Sequence, residues 1–219
     1  AILDPIKFKK NILTGYKYLV IDENNISAKL ESKTNSDNKF KIFASFGGYD
    51  HFGYLEKILK MIEKNICDGS RGFEYRLIGQ LDFIKIRENK LKIDDLNKIS
   101  DNNIFFYSKP KNFYQLMAES DLAIVNGGLT IFDTIARCVP SIGLPQYEHQ
   151  LKTLQKLEKE GLVCLVSNII NFSENELYER FSLLIKNSNI RNQIKLNCKG
   201  KIDGNGTKRI TFLLNNLLK

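Results

Sequence analysis

Two glycine pairs and one carboxylate carry the chemistry available to this sequence. Gly127 and Gly128 close the apolar run "LAIVN" and are followed at once by the helical pattern "LTIFDTIARC". Gly47 and Gly48 close "IFASF" in the same way, ahead of "GYLEKILKMIEK". A strand that turns through glycine into a helix leaves the first N–H groups of that helix and its positive dipole end facing the turn, which suits an anion. Glycine also removes the Cβ that would keep a phosphate from those amides. The spacing is neither G-x-G-x-x-G nor a Walker A sequence, so the usual dinucleotide and P-loop readings fail.

Asp133 lies just inside the second of these helices and admits two readings. Thr130 and Asp133 spell T-x-x-D, a capping box in which the acid stabilises the helix start. Alternatively, a carboxylate one turn beyond phosphate-binding amides can accept both hydroxyls of a ribose, so that a nucleotide is held at sugar and phosphate together. Downstream, "LPQYEHQ" leaves another strand for another helix and brings Glu148, His149 and Gln150 to the same rim. Gln150 can donate to a phosphate or a sugar hydroxyl. His149 and His51 are the two histidines of the chain, and both fall in rim loops.

These residues need a scaffold, and the hydrophobic pattern supplies one. Strand-length runs ("KFKIFASF", "FEYRLIG", "NIFFYS", "DLAIVN", "VPSIGLP", "LVCLVS") take turns with amphipathic segments of helical period. Alternation of this kind predicts an α/β fold with a Rossmann-like, mostly parallel sheet and helices on both faces. In such sheets ligands sit at the carboxyl ends of the strands, where both glycine pairs fall. "YKYLVID" (residues 16–22) reads as an edge strand after a linker. The lysine-rich stretch 84–98 reads as a solvated surface helix or loop. The tail reads as a helix, a glycine turn at 204–206 and a last helix from about Thr207, packed across the sheet.

Composition narrows the classes further. At 219 residues and 42% hydrophobic content the chain can bury a substantial core. No run reaches the roughly 18 apolar residues of a membrane span, while peripheral membrane contact stays open. The four cysteines (Cys67, Cys138, Cys164, Cys198) show neither CxxC nor Cys/His clustering, which fits a reducing cytoplasm and predicts no metal site. The net charge of +8 suits nucleic acid, anionic lipid or a phosphorylated ligand, or reflects a lysine-biased composition. The first residue is Ala, and the expectation is that the chain is part of something longer.

"GGLTIFDTIARCVPSIGLPQYEHQ" resembles the C-terminal, nucleotide-sugar-binding half of GT-B enzymes. The similarity is strongest to the pseudaminic-acid-pathway UDP-sugar hydrolases and the spore-coat polysaccharide proteins. It extends more distantly to the glycosyltransferase that makes the peptidoglycan lipid intermediate. "LTGYKYLVI" is similar to the family's lead-in to its second domain and "FASFGGYD" to its first phosphate-side loop. The resemblance implies a lead-in segment and linker over 1–22, one nucleotide-sugar-binding domain over 23–219, and an N-terminal GT-B lobe outside the sequence.

It also implies roles. Gly127, Gly128, Leu129 and Thr130 would present amides or hydroxyl to a diphosphate, and Asp133, where the family more often has Glu, would take the ribose diol. Tyr107, Ser108 and Phe113 would read the base. Gly47, Gly48 and Asp50 would line the cleft, with Glu148 and Gln150 on the sugar side. The expected ligand is UDP or a UDP-sugar, and the expected reaction is glycosyl transfer or UDP-sugar hydrolysis. No cofactor or metal is called for, there being no DxD sequence, and the catalytic group is expected on the N-terminal lobe. A non-catalytic nucleotide-sugar sensor is the alternative. A nucleic-acid-binding domain is a remote one, lacking an aromatic-basic motif or a helix-turn-helix.

Overall fold

The computed structural model describes residues 13–21, 26, 39–47, 50, 52–67, 72–79, 103–167 and 173–217. Gly48, His51, the stretch 84–98 and most of the expected linker lie outside the described residues. Six strands form one sheet: β1 (Phe40–Ser45), β2 (Phe73–Ile78), β3 (Asn103–Tyr107), β4 (Leu122–Asn126), β5 (Ser141–Leu144) and β6 (Cys164–Leu165). The order is β3-β2-β1-β4-β5-β6 and every pairing is parallel. The helices among the described residues are α1 (Tyr54–Cys67), α2 (Phe113–Ala118), α3 (Leu129–Ala136), α4 (Glu148–Lys159), α5 (Glu174–Lys186), α6 (Ser188–Cys198) and α7 (Gly206–Leu217).

All five residues of β4 are buried, as are Ile42, Phe43 and Ala44 of β1. A strand buried on both faces must be apolar at successive positions, which is why "LAIVN" and "KIFA" do not alternate. The chain leaves β1 toward β2 and β3, then crosses back to pair β4 with β1. The strand order therefore reverses between β1 and β4, the place where an open α/β sheet leaves a crevice at its carboxyl edge. Gly47, past β1, and the Gly127–Gly128 turn, past β4, lie at that edge.

Glycine also governs how closely α4 approaches the sheet. A Cβ on Gly143, in the middle of β5, would overlap Cδ2 of Leu154, and one on Gly127 would lie 2.9 Å from Cβ of Gln150 and 3.0 Å from Cδ1 of Leu154. Leu154 is fully buried. α4 is thus seated against two strand ends by one leucine that fits only over glycine.

Two expectations change. Residues 16–18 form a 3-10 turn instead of an edge strand, with Tyr16 Oη donating to Glu160 at 3.0 Å. The tail's last helix packs on this lead-in turn, where the expectation was that it packs across the sheet. Arg209 donates to the Lys17 carbonyl at 3.0 Å, and a Cβ on Gly206 would overlap the carbonyl of Leu19. Backbone contact of that kind leaves no room for a further strand. No helix among the described residues is long and apolar enough to cross a membrane.

Gly143→Ala should lower unfolding stability by about 1–3 kcal/mol, the usual cost of forcing extra volume into a packed core. Urea titration followed by circular dichroism reads this as a lower midpoint at unchanged slope.

Candidate nucleotide-binding site

The site starts from the side-chain amide of Asn126, the last residue of β4. Its Nδ2 donates to the Phe46 carbonyl at 3.0 Å, just past β1, and to Oε1 of Gln146 at 3.0 Å, just past β5. Its Oδ1 accepts from the Gly128 N–H at 3.4 Å. One buried amide therefore ties together the three loops that border the crevice. Gln146 continues the chain, its backbone N–H donating to Oε1 of Gln150 at 2.9 Å. Because Asn126 must donate to a backbone carbonyl, the orientation of the Gln146 amide follows from it.

α3 begins at Leu129 with Gly128 as its N-cap and no side-chain cap. The T-x-x-D reading fails here, since with Gly128 at the cap Asp133 stands five residues in, beyond the orphan N–H groups that a capping box serves. Among the described residues the N–H groups of Leu129 and Thr130 have no acceptor, as the first turn of a helix requires. Leu129 is 79% exposed. Gly127 does different work from that expected: its N–H donates to the Leu144 carbonyl at 3.3 Å, and its bare α-carbon accommodates α4. The Gly128 N–H is taken by Asn126, so the amides left open at this helix start are those of Leu129 and Thr130.

Asp133 is paired with Arg137, whose Nη1 lies 3.2 Å from Oδ1. The Arg137 side chain is fully buried and its guanidinium stacks over the Tyr114 ring at 4.4 Å. Burial raises the Asp133 pKa above the ordinary 3.8, and the charge and hydrogen bond of Arg137 pull it back without cancelling the rise. The carboxylate is held in one orientation by a cation on its own helix. Arg137 was not singled out from sequence, although the i, i+4 spacing of acid and base was there to read.

A cavity of about 290 Å³ opens beside the Thr130 end of α3. Gly47, Phe113 and Thr130, all expected at the site, line it, together with Gly79, Lys109 and Pro110. Phe113 is fixed from behind by Phe43 of β1, edge-on at 5.3 Å. Tyr107 and Ser108 stand immediately before Lys109 and do not line the cavity. Lys109 has φ of 52°, a left-handed conformation that costs a non-glycine residue energy and redirects the chain at the cavity mouth.

The remaining candidates are placed as follows. Both oxygens of Asp50 accept backbone N–H bonds at the start of α1, from Tyr54 at 2.9 Å and Leu55 at 2.8 Å, so Asp50 caps that helix. Glu148 points to solvent and pairs with Lys152 at 3.7 Å. Gln150 is buried, and a Cβ on Gly128 would lie 3.9 Å from its Nε2, which places that amide beside the α3 start. The structure thus brings Gly47, Phe113, Gly128, Leu129, Thr130 and Gln150 to one edge of the sheet, sets Asp133 a turn further along α3 and off the cavity lining, and leaves Glu148 in solvent.

No protein-family profile matches the chain. The spore coat polysaccharide biosynthesis protein SpsG of Bacillus subtilis (strain 168) is 28% identical over 102 residues, which are 47% of this chain and 30% of SpsG. MurG of Acinetobacter baumannii shares the fold with a TM-score of 0.70 at 13% identity, over 97% of this chain and 58% of MurG. A putative UDP-N-acetylglucosamine 2-epimerase from Listeria monocytogenes follows at 0.68 and 12% identity, over 96% of this chain and 55% of the epimerase. The chain thus spans little more than half of either solved structure, and its match covers less than a third of SpsG. It has the Rossmann-like fold of a GT-B lobe and is similar in sequence to the spore coat polysaccharide protein SpsG.

Proposed function

We propose that this chain is the donor-binding lobe of an enzyme of surface-polysaccharide or nonulosonate biosynthesis that acts on a UDP-linked amino sugar, by glycosyl transfer or by hydrolytic release of UDP. The observation that carries the reading is an open cavity beside a helix start whose Leu129 and Thr130 amides have no acceptor among the described residues, with a carboxylate fixed by a buried arginine one turn along the same helix. The cavity at Phe113 takes the base. Asp133 accepts the ribose hydroxyls, and the N–H groups of Leu129 and Thr130 take the diphosphate. Gln150 lies beyond them on the sugar side. The likeness to SpsG and to a UDP-N-acetylglucosamine epimerase supports a nucleotide sugar as ligand.

The chemistry asked of this lobe is electrostatic. Cleavage at the anomeric C–O bond or the adjacent P–O bond leaves charge on the departing group. Amides held in place by the fold stabilise that charge without reorganising at the moment of reaction. Lys109 at the cavity mouth adds a positive charge close by. The acceptor, or the group that activates water, comes from an N-terminal lobe that completes the cleft.

Titration calorimetry with UDP, ADP, GDP and CMP tests the reading directly. Selective UDP binding is expected, with Asp133→Ala weakening it about tenfold to a hundredfold, as loss of hydrogen bonds to a charged acceptor implies. Binding of none of the four by the wild type would refute it.

Acid provides a second measurement. With UDP-glucose, whose diphosphate diester does not titrate between pH 4 and 8, affinity should begin to fall at a pH above 3.8, because the folded Asp133 takes up its proton early. The folded state binds this proton more tightly than the unfolded chain does, so protonation of this residue does not itself favour unfolding, and a melting curve at each pH separates lost affinity from lost fold. Asp133→Asn should flatten the profile.

Asn126→Ala should cost about 1–3 kcal/mol of stability, by leaving buried partners unsatisfied, and should weaken UDP binding as the three loops separate. A melting curve beside the calorimetry reads both.

A further inference from the structure

The loop between β5 and α4 carries an aromatic assembly that the nucleotide reading leaves unused. The Tyr147 and His149 rings lie parallel, 6° apart in plane with centroids at 5.6 Å. Phe52, from the turn before α1, meets Tyr147 edge-on at 6.1 Å and stacks on Tyr54 at 5.9 Å. Tyr54 is buried, and its hydroxyl donates to the Pro145 carbonyl at 2.6 Å. Burial, and then the charge of Asp50, push that phenol up to about 12, so it stays a donor across the physiological range. The series therefore runs from a buried, hydrogen-bonded ring to exposed ones. Tyr147 is 45% exposed and Phe52 36%.

Its place on the sheet edge decides what it meets. Gln150 packs its Cβ on Gly127 and sets its amide beside Gly128, and Tyr147 is the N-cap of the same helix, so the rings stand at the helix start that borders α3. The base cavity lies on the opposite side of those amides, toward β2 and β3. A nucleotide sugar with its base in that cavity and its diphosphate on α3 delivers its hexose toward α4.

Resting on the donor-lobe reading, we infer that Tyr147, with His149 and Phe52 beside it, is a stacking platform for the hexose ring of the nucleotide sugar. A rigid aromatic face covers the C–H face of a pyranose at little entropic cost, while hydroxyl and acetamido groups at the ring's edge remain free for polar partners. The Gln150 amide and the His149 ring nitrogens are such partners at the same helix start. Aromatic rings interleaved with polar groups suit a sugar better than a lipid chain, which would leave those groups without partners.

The test is calorimetry of the 219-residue chain with UDP and with UDP-N-acetylglucosamine, UDP-N-acetylgalactosamine and UDP-glucose, for wild type, Tyr147→Ala and Tyr147→Phe. At least one UDP-sugar should bind the wild type more tightly than UDP does, by roughly three- to tenfold, the scale of one aromatic contact. Tyr147→Ala should erase that increment and leave UDP affinity as it was, whereas Tyr147→Phe, which keeps the ring, should retain it. In ligand-observed NMR, upfield ring-current shifts of the hexose protons should appear with wild type and Tyr147→Phe and vanish with Tyr147→Ala. An increment that survives Tyr147→Ala, an equal weakening of UDP and UDP-sugars, or no increment with any of the three sugars overturns the platform while leaving the donor-lobe reading intact. Failure of the wild type to bind UDP or any of the UDP-sugars overturns both.

Discussion

The side chain of Asn126 is the contact on which the crevice depends. Parallel strands are tied to one another only along their length, and where the order reverses the loops beyond β1, β4 and β5 have no ladder to hold them. An amide at that point supplies two donors and an acceptor in fixed geometry, and here each is used: on Phe46, on Gln146 and on Gly128. The network is buried, so each bond carries the greater weight that low dielectric and the cost of an unsatisfied polar group confer. A hydroxyl could not reach three loops, and an apolar residue would leave their polar atoms stranded.

The second constraint is steric. α4 lies close enough to the sheet for Leu154 to sit over Gly143 and beside Gly127, which fixes the start of α4 relative to the start of α3. Two helix N-termini are thereby aimed at the same crevice, one with open amides and one with the Gln150 amide at its side. The same approach explains why Gly127 and Gly128, adjacent and chemically identical, differ in task. Gly127 faces the packed helix and spends its N–H on the sheet, and Gly128 faces the crevice as the cap of α3.

The Asp133 and Arg137 pair balances desolvation against attraction. Burial lifts the carboxyl's pKa and the guanidinium lowers it, with burial the larger. A buried pair of this kind is weak evidence for stability. Its value lies in orientation, because the arginine is itself sandwiched between its helix and the Tyr114 ring and leaves the carboxylate little freedom.

The order of elements and their period were written in the chain. Strands buried on both faces are apolar at successive positions, so the "LAIV" and "IFA" runs declared themselves, and with them the α/β class and the two glycine turns at strand ends. Thr130 was legible because it follows one of those turns, and Gln150 because it follows another strand end, whereas Phe113 was reached only through the family resemblance. What the sequence could not disclose were the relations across the sheet: that Asn126 joins three loops, and that Gly127 is bare for the sake of Leu154. The 3-10 turn at Tyr16–Tyr18 belongs with these, since an apolar run looks like a strand until α7 claims the space beside it. Local pattern is set by each residue's own neighbours along the chain and survives in the sequence. Hydrogen bonds and steric contacts between residues 80 positions apart, as between Asn126 and Phe46, exist only once the sheet has assembled, and tertiary structure alone decided them.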